Sequence, residues 1–143
     1  MNLGNIRRGL VEVLTGIDGI TVLPEWPISP PWGSNTVVVV LPDDPYVTYS
    51  EGAGRTNKNV VLMRLVCLPL PSKQAVRIQA ELDDLLSCGP TEPRSLRTRL
   101  GTDLSVDGTA CTVSVLSASI KTFQVGEVEA VGAEVSLKIL ARC

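Results

Sequence analysis

The 143-residue sequence has the length of one domain, residues 1–143, and an ordinary globular composition with 44% hydrophobic and 20% charged residues. Its 13 basic and 15 acidic residues give a net charge of −2, so the chain has no broad positive field for binding nucleic acid or an anionic membrane. Because there is no signal-peptide pattern and no apolar run near ~18 residues, we expect neither a secreted nor a membrane-spanning protein.

The four cysteines, Cys67, Cys88, Cys111 and Cys143, are widely spaced along the chain. In a reducing cytoplasm, as expected for a chain without a secretory signal, such cysteines are free thiols. Their even number leaves disulfides open as an alternative.

The first elements in the chain are predicted to be a helix and a short strand. Apolar residues at helical spacing predict an amphipathic helix over residues 2–15, ending at Gly16. Residues 20–23 follow as a brief strand, and the proline-rich segment 24–33 is unsuited to a helix or a central strand. Its Trp26 and Trp32 either cap the edge of the core or are buried in a subunit interface.

Two strongly apolar runs, residues 36–41 and 60–68, flank a long polar segment, residues 43–59. Connections longer than about 12–15 residues are uncommon in compact domains and are usually functional or disordered. If the two halves of the segment paired as a hairpin, they would reach about 25 Å at ~3.3 Å per residue. We therefore predict a projecting arm that contacts a neighbouring molecule, with these candidate interface residues: Tyr46, Tyr49, Glu51, Arg55 and Lys58.

A second helix is predicted over residues 73–87, with Ser72 as its N-cap, and residues 91–100 add a short helical turn. The two central strands are apolar on both sides, which indicates a sheet covered on both faces. Two helices cover one face of a four- or five-stranded sheet. The other face needs a layer from the same chain or from a neighbouring subunit, and the shortage of chain favours the neighbour.

The C-terminal region is predicted to be a hairpin. Over residues 111–121 the apolar phase switches between Val115 and Leu116, which predicts a bulge or a sharp twist there. Residues 122–129 then form a turn, and residues 131–141 a one-sided strand. The predicted fold is α+β, a mixed or antiparallel sheet of four to five strands with two main helices on one face and a projecting arm.

No motif for catalysis, metal binding or cofactor binding is present. The chain has no histidine, no C-x-x-C pair and no phosphate-binding glycine signature. Two carboxylate pairs remain: Asp43-Asp44 at a strand end favours turn chemistry, and Asp83-Asp84 is expected on the solvated side of the second helix. We therefore expect no enzyme activity, no cofactor and no metal.

Three arginines, Arg94, Arg97 and Arg99, form a possible basic patch, to which Arg77 would add. Solvation or pairing across an interface is the simpler interpretation. Contact with nucleic acid is the sharper one, but no aromatic residues alternate with these arginines as a stacking groove would require.

The order of these elements resembles that of the tail terminator proteins of long-tailed, siphovirus-type bacteriophages. Four local strings carry the resemblance along most of the chain: Ile6-Arg7-Arg8-Gly9-Leu10, Gly19-Ile20-Thr21-Val22, Pro30-Pro31-Trp32, and Ala80-Glu81-Leu82-Asp83-Asp84-Leu85-Leu86. The family has no invariant catalytic motif, so the resemblance carries no functional residue over to this chain.

The resemblance implies a structural virion protein of the tail neck, assembled in the host cytoplasm. Such proteins form a homo-hexameric ring on the last ring of the major tail tube protein, stop its polymerisation, and offer a docking face for the head–tail connector or stopper protein. DNA passes through the lumen without specific binding. The alternatives are a head-side closure or connector adaptor, and a monomeric cellular binding module or small enzyme.

Overall fold

A computed structural model describes residues 2–49, 58–89, 91–100, 104–106 and 109–142. In this part of the chain, helices and strands combine in an α+β fold, as the sequence predicts. The elements in chain order are α1 (Leu3–Thr15), β1 (Ile20–Leu23), β2 (Thr36–Thr48), β3 (Lys58–Leu68), α2 (Ala75–Leu86), α3 (Leu96–Leu100), β4 (Leu104–Val106), β5 (Thr109–Val125) and β6 (Val128–Arg142).

The strands form one mixed sheet in the order β1-β2-β3-β6-β5-β4. β1 runs parallel to β2, and every other neighbouring pair is antiparallel. The sheet exceeds the predicted four to five strands because the three-residue β4 adds a sixth strand at the edge.

The ends of the two longer helices differ from each other in their capping. The side chain of Asn2 caps α1 by accepting a hydrogen bond from the backbone N–H of Asn5. α2 begins later than predicted, and Gln74 occupies its N-cap position without a side-chain capping bond. The prediction of Ser72 as N-cap is therefore wrong.

The main core lies between the helices and one face of the sheet, called the helix face below. α1 contributes Ile6, Leu10 and Leu14, and α2 contributes Leu82 and Leu85. They pack on a fully buried layer from the central strands, which includes Val61, Met63, Leu65, Val135, Leu137 and Ile139. Burying each such leucine or isoleucine side chain contributes roughly 1.5–3 kcal/mol, so this layer strongly stabilises the fold.

The opposite face, called the outer face below, is covered at one end by the chain itself. Val37, Val39, Val66 and Leu68 form a second, smaller core cluster, against which the proline-rich segment packs. At this end of the sheet the second layer therefore comes from the same chain, the less favoured of the two sources considered.

The bulge predicted in the C-terminal hairpin is confirmed. The pairing of β5 with β6 shifts register between Val115 and Ser117, and Leu116 at the shift is 56% exposed. The turn is tighter than predicted, however, since Val125 already pairs with Val128. Gly126 has a φ of 60°, a conformation that favours glycine, and this permits a two-residue turn where residues 122–129 were expected.

The predicted arm is not confirmed as a separate element. β2 continues to Thr48, and its end pairs with β3 through Val47–Val61 and Thr48–Val60. A register shift between Pro42 and Val47 accommodates the prolines and Asp43-Asp44 within the strand, where a turn was expected. Residues 43–48 and 58–59 therefore belong to the sheet, and residues 50–57 lie outside the described part of the chain.

Candidate subunit interface

The proline-rich segment holds both tryptophans against the outer face. The indole N–H of Trp32 donates a hydrogen bond to the carbonyl of Leu68 at 3.0 Å, at the end of β3. The ring of Trp26 lies 5.9 Å from that of Phe123, with 43° between the ring planes. Both tryptophans pack at the edge of the smaller core cluster and stay half-buried. Their place in a subunit interface stays a prediction.

An apolar pocket of about 490 Å³ lies in the same segment, lined by residues from Leu23 to Ser29 and by Pro31. Ile28 in its wall is 94% exposed, the largest exposure among the big apolar side chains of the described residues. The pocket and this protruding side chain give that end of the outer face an apolar, uneven surface.

Charged side chains cross the middle of the outer face. Glu134 on β6 lies 3.2 Å from Lys121 on β5 and 4.0 Å from Arg64 on β3. Lys121 and Arg64 are 53% and 41% exposed, so water screens both pairs and each contributes at most about 1 kcal/mol. The ion pairs separate the tryptophan end of the face from the other end.

The other end of the outer face is apolar and only half-covered. We call Leu41, Val60, Leu62 and Leu140 the outer strip; all four are half-buried. Val60 pairs directly with Leu140, whereas Leu62 pairs with Lys138 and Leu41 pairs with Arg64, so the strip runs across β2, β3 and β6 with charged residues beside it. The apolar residues on both sides of β2 and β3 predicted a second apolar face of the sheet. They did not show which residues of that face would stay uncovered.

The outer strip leads to the end of β2, where the candidate arm residues begin. Tyr46 is held back against α1: its hydroxyl accepts a hydrogen bond from Arg7 at 3.4 Å, and the Arg7 guanidinium lies 5.9 Å from its ring centre. Tyr49, by contrast, is 66% exposed. Glu51, Arg55 and the side chain of Lys58 lie outside the described residues.

The possible basic patch is not a uniform group. Arg94 is engaged within the molecule, donating to Glu81 at 2.5 and 2.9 Å, to Asp84 at 2.8 Å and to the carbonyl of Asp18 at 3.0 Å. Asp84 is thus paired, where solvation was expected. The Arg94 guanidinium is therefore already occupied by these partners and does not join a phosphate-binding patch.

The other three arginines of the patch lie at the surface. Arg97 is exposed, with Nη1 3.7 Å from the sulfur of Cys88, and Arg99 donates from Nε to the carbonyl of Pro93. Arg77 is exposed on α2.

The Arg94 cluster shifts the ionisation of its members. The hydrogen bonds from Arg94, reinforced by one from the Thr36 hydroxyl at 2.8 Å, hold the pKa of Glu81 below its usual value although burial acts the other way. The same contacts with Glu81 raise the pKa of Arg94. Both groups are therefore charged at neutral pH.

Cys67 is fully buried, and burial together with the nearby charge of Glu81 raises the pKa of its thiol to about 12. Cys67 and the exposed Cys88 are both free thiols, as predicted. The side chains of Cys111 and Cys143 lie outside the described residues.

Among the described residues, no group of three or more cysteine, aspartate or glutamate side chains is placed to hold a metal ion. None of the helices described is long and apolar enough to cross a membrane. The features that these residues do present are surfaces: the outer strip, the pocket near Trp26, and the edges of the sheet.

Comparison with known proteins yields no family assignment. No protein-family model matches the chain, and no curated protein matches it. One solved structure that it matches, a protein known by a sequence identifier alone, is 16% identical over 98% of this chain and 92% of its own, with a TM-score of 0.43. A likeness this low carries no argument about function.

Proposed function

We propose that this chain is a structural virion protein that forms a homo-hexameric ring at the head-proximal end of a phage tail tube. The ring stops polymerisation of the major tail tube protein and offers a docking face for the head–tail connector. Two observations support the proposal: the order of elements resembles that of tail terminator proteins, and the surface of the chain suits assembly.

The outer strip is the observation that carries the proposal. Leu41, Val60, Leu62 and Leu140 stay half-buried on the outer face, where Leu41 borders the smaller core cluster under the proline-rich segment. A contiguous apolar surface of this kind, rimmed by charged residues, is typical of a protein interface. The rim is formed by Arg64 on β3 and Lys138 on β6, which pair with Leu41 and Leu62. A neighbouring copy in the ring would pack there, with Tyr49 at the margin of the contact.

The charge of the chain is compatible with a ring around DNA. Six copies, each with a net charge of −2, together carry −12. A lumen within such a ring has no net attraction for the DNA that passes through it, so the DNA is not retained.

The experiment that tests the proposal places one charge in the outer strip. Leu62→Asp puts a carboxylate into the expected contact, where burying an unpaired charge opposes association. The matched control is Ser72→Asp, which adds the same charge at an exposed position before α2. We expect Leu62→Asp to abolish rings on purified tail tubes and Ser72→Asp to leave them intact, as counted by negative-stain microscopy.

Two results would contradict the proposal. If Leu62→Asp, shown by circular dichroism to be folded, still formed rings, the outer strip would not be the subunit contact. If neither variant nor the wild-type chain bound tail tubes, but the wild-type chain bound the head connector alone, the protein would be a head-side adaptor.

A further inference from the structure

The outer edge of β5 is open over most of its length. β4 pairs with β5 only between Thr109 and Cys111, and no other strand of the described residues pairs with this edge. β5 continues to Val125, and along an open edge about every second residue presents its backbone N–H and C=O outward.

This edge has few of the devices that prevent pairing with another strand. Natural edges are protected by charged side chains, prolines, bulges or short length. Between residues 112 and 125 there is no proline, and Lys121 is the one charged residue. The bulge at Leu116 interrupts the edge near its start, and a regular run from Ser117 to Val125 follows it.

Exposed apolar side chains flank the regular run. Ile120 is 50% exposed, Val131 is 43% exposed, and both lie on the helix face beyond the cover of the helices. Near Leu116 a groove of about 290 Å³ opens between the hairpin and the ends of α2 and α3, with Leu86 and Arg97 in its wall. The open backbone edge thus coincides with apolar surface that a paired strand would cover.

We propose that β5 pairs antiparallel with β5 of a second copy of this chain, centred on Ser119, so that two sheets join into one. This contact is independent of the proposed ring, because it relates two free copies by a two-fold axis.

The side chains along the regular run of β5 are complementary to those of a second copy of the same strand. Directly opposed residues of an antiparallel pair point to the same face, so a two-fold axis must pass through a residue position and not between two residues. Centring on Ser119 places the small Ala118 of each copy opposite the large Ile120 of the other copy, and both pairs lie on the helix face. Centring on Ile120 or on Lys121 would oppose two isoleucines or two lysines.

The charged residues of the two copies do not oppose each other in this register. Each Lys121 faces the neutral Ser117 of the second copy and keeps its own ion pair with Glu134. The two lysines are then four residues apart along the joined strands, about 13 Å at ~3.3 Å per residue. That separation exceeds the Debye length of ~8 Å at physiological ionic strength, so their repulsion is screened.

A crosslink at the two-fold axis tests the register. Opposed Cβ atoms in an antiparallel pair are about 4.5–5.5 Å apart, close enough for a disulfide after a small shift. We would introduce Ser119→Cys into a background carrying Cys88→Ser, Cys111→Ser and Cys143→Ser. The matched control is Ser34→Cys, an exposed position before β2. Under mild oxidation, Ser119→Cys should form dimers at least about tenfold faster than the control, because pairing raises the local thiol concentration.

The association itself is measured on the chain without introduced cysteines. Light scattering at ~100 μM should give a dimer mass for the wild-type protein, within the affinity range of a small interface. Ile120→Lys, which places a charge at an exposed edge position, should give a monomer. Equal crosslinking rates for the two cysteine variants would overturn the proposal. A monomer mass for the wild-type protein at this concentration would also overturn it. This second measurement tests the pairing even if the cysteine-depleted background does not fold.

Discussion

At the scale of single residues, Arg94 joins separate parts of the molecule. It contacts Glu81 and Asp84 of α2 and the carbonyl of Asp18 in the turn after α1. Glu81 in turn accepts from Thr36 at the start of β2. The guanidinium thus ties the segment before α3 to α2 and to the turn before β1, and through Glu81 to the start of β2.

Replacing this guanidinium leaves a partly buried carboxylate without its main partner. Glu81 is 16% exposed and Arg94 is 23% exposed, so solvent compensates only in part. We expect Arg94→Ala to reduce the free energy of unfolding by about 1–3 kcal/mol, measured by urea denaturation. Arg97→Ala, a control at an exposed arginine of the same region, should change it by no more than about 0.5 kcal/mol. Equal effects of the two variants would show that the Arg94 cluster does not stabilise the fold.

The same cluster predicts a loss of stability in acid. The folded pKa of Glu81 lies below the usual value of 4.5, which approximates the pKa in the unfolded chain. The stabilisation is therefore fully present above that value and is lost as the pH falls through the lower, folded pKa. Comparing urea midpoints at pH 7 and in the acid range should show a smaller decrease for Glu81→Gln than for the wild-type chain. A parallel decrease in both proteins would assign the acid sensitivity to other carboxylates.

At the scale of elements, Gly132 of β6 lies directly against the end of β3. A Cβ added there would meet the carbonyl oxygen of Cys67 closer than real contacts allow, and Leu68 and Phe123 fill the space beside it. Glycine at this position lets the two strands and the cluster under the tryptophans pack together.

Gly132→Ala should consequently force the backbone of β3 and β6 apart. We expect it to lower the free energy of unfolding by about 2–3 kcal/mol, as overpacking against rigid backbone does. Gly33→Ala is the control, since an added Cβ meets nothing within 4 Å there. The comparison is made by thermal unfolding of both variants. If Gly132→Ala unfolded at the same temperature as the control, the close approach of the strands would be contradicted.

Elements with a strong local signal could be predicted from the sequence. The switch of apolar phase at Leu116 located the bulge, and the spacing of Ile6, Leu10 and Leu14 located α1, because both patterns arise within a few residues. The end of β2 could not be predicted. Pro42 and Pro45 read as the end of a strand, whereas pairing with β3 carries the chain past them to Thr48.

The candidate interface was predictable in kind but not in place. Apolar residues on both sides of β2 and β3 correctly indicated a second covered face. Which part Trp26 and Trp32 would cover depends on contacts between residues far apart in the chain, such as that of Trp32 with Leu68. The outer strip is what these contacts leave uncovered, so it could be found only from the three-dimensional structure.

At the scale of the whole molecule, the two surfaces that we propose for association are separate. The outer strip lies across β2, β3 and β6, whereas the open edge belongs to β5. A substitution in one surface therefore leaves the other intact, and Leu62→Asp and Ile120→Lys can be compared in the same two assays. We expect Leu62→Asp to lose ring formation and keep the dimer, and Ile120→Lys to do the reverse.

The most direct measurement of the proposed function is negative-stain microscopy of the wild-type protein mixed with polymerising tail tube protein. We predict a ring of this chain at one end of each tube and tubes that stop growing once it is added. Tubes that continue to lengthen, with no density at their ends at saturating protein, would contradict the assignment as a tail terminator.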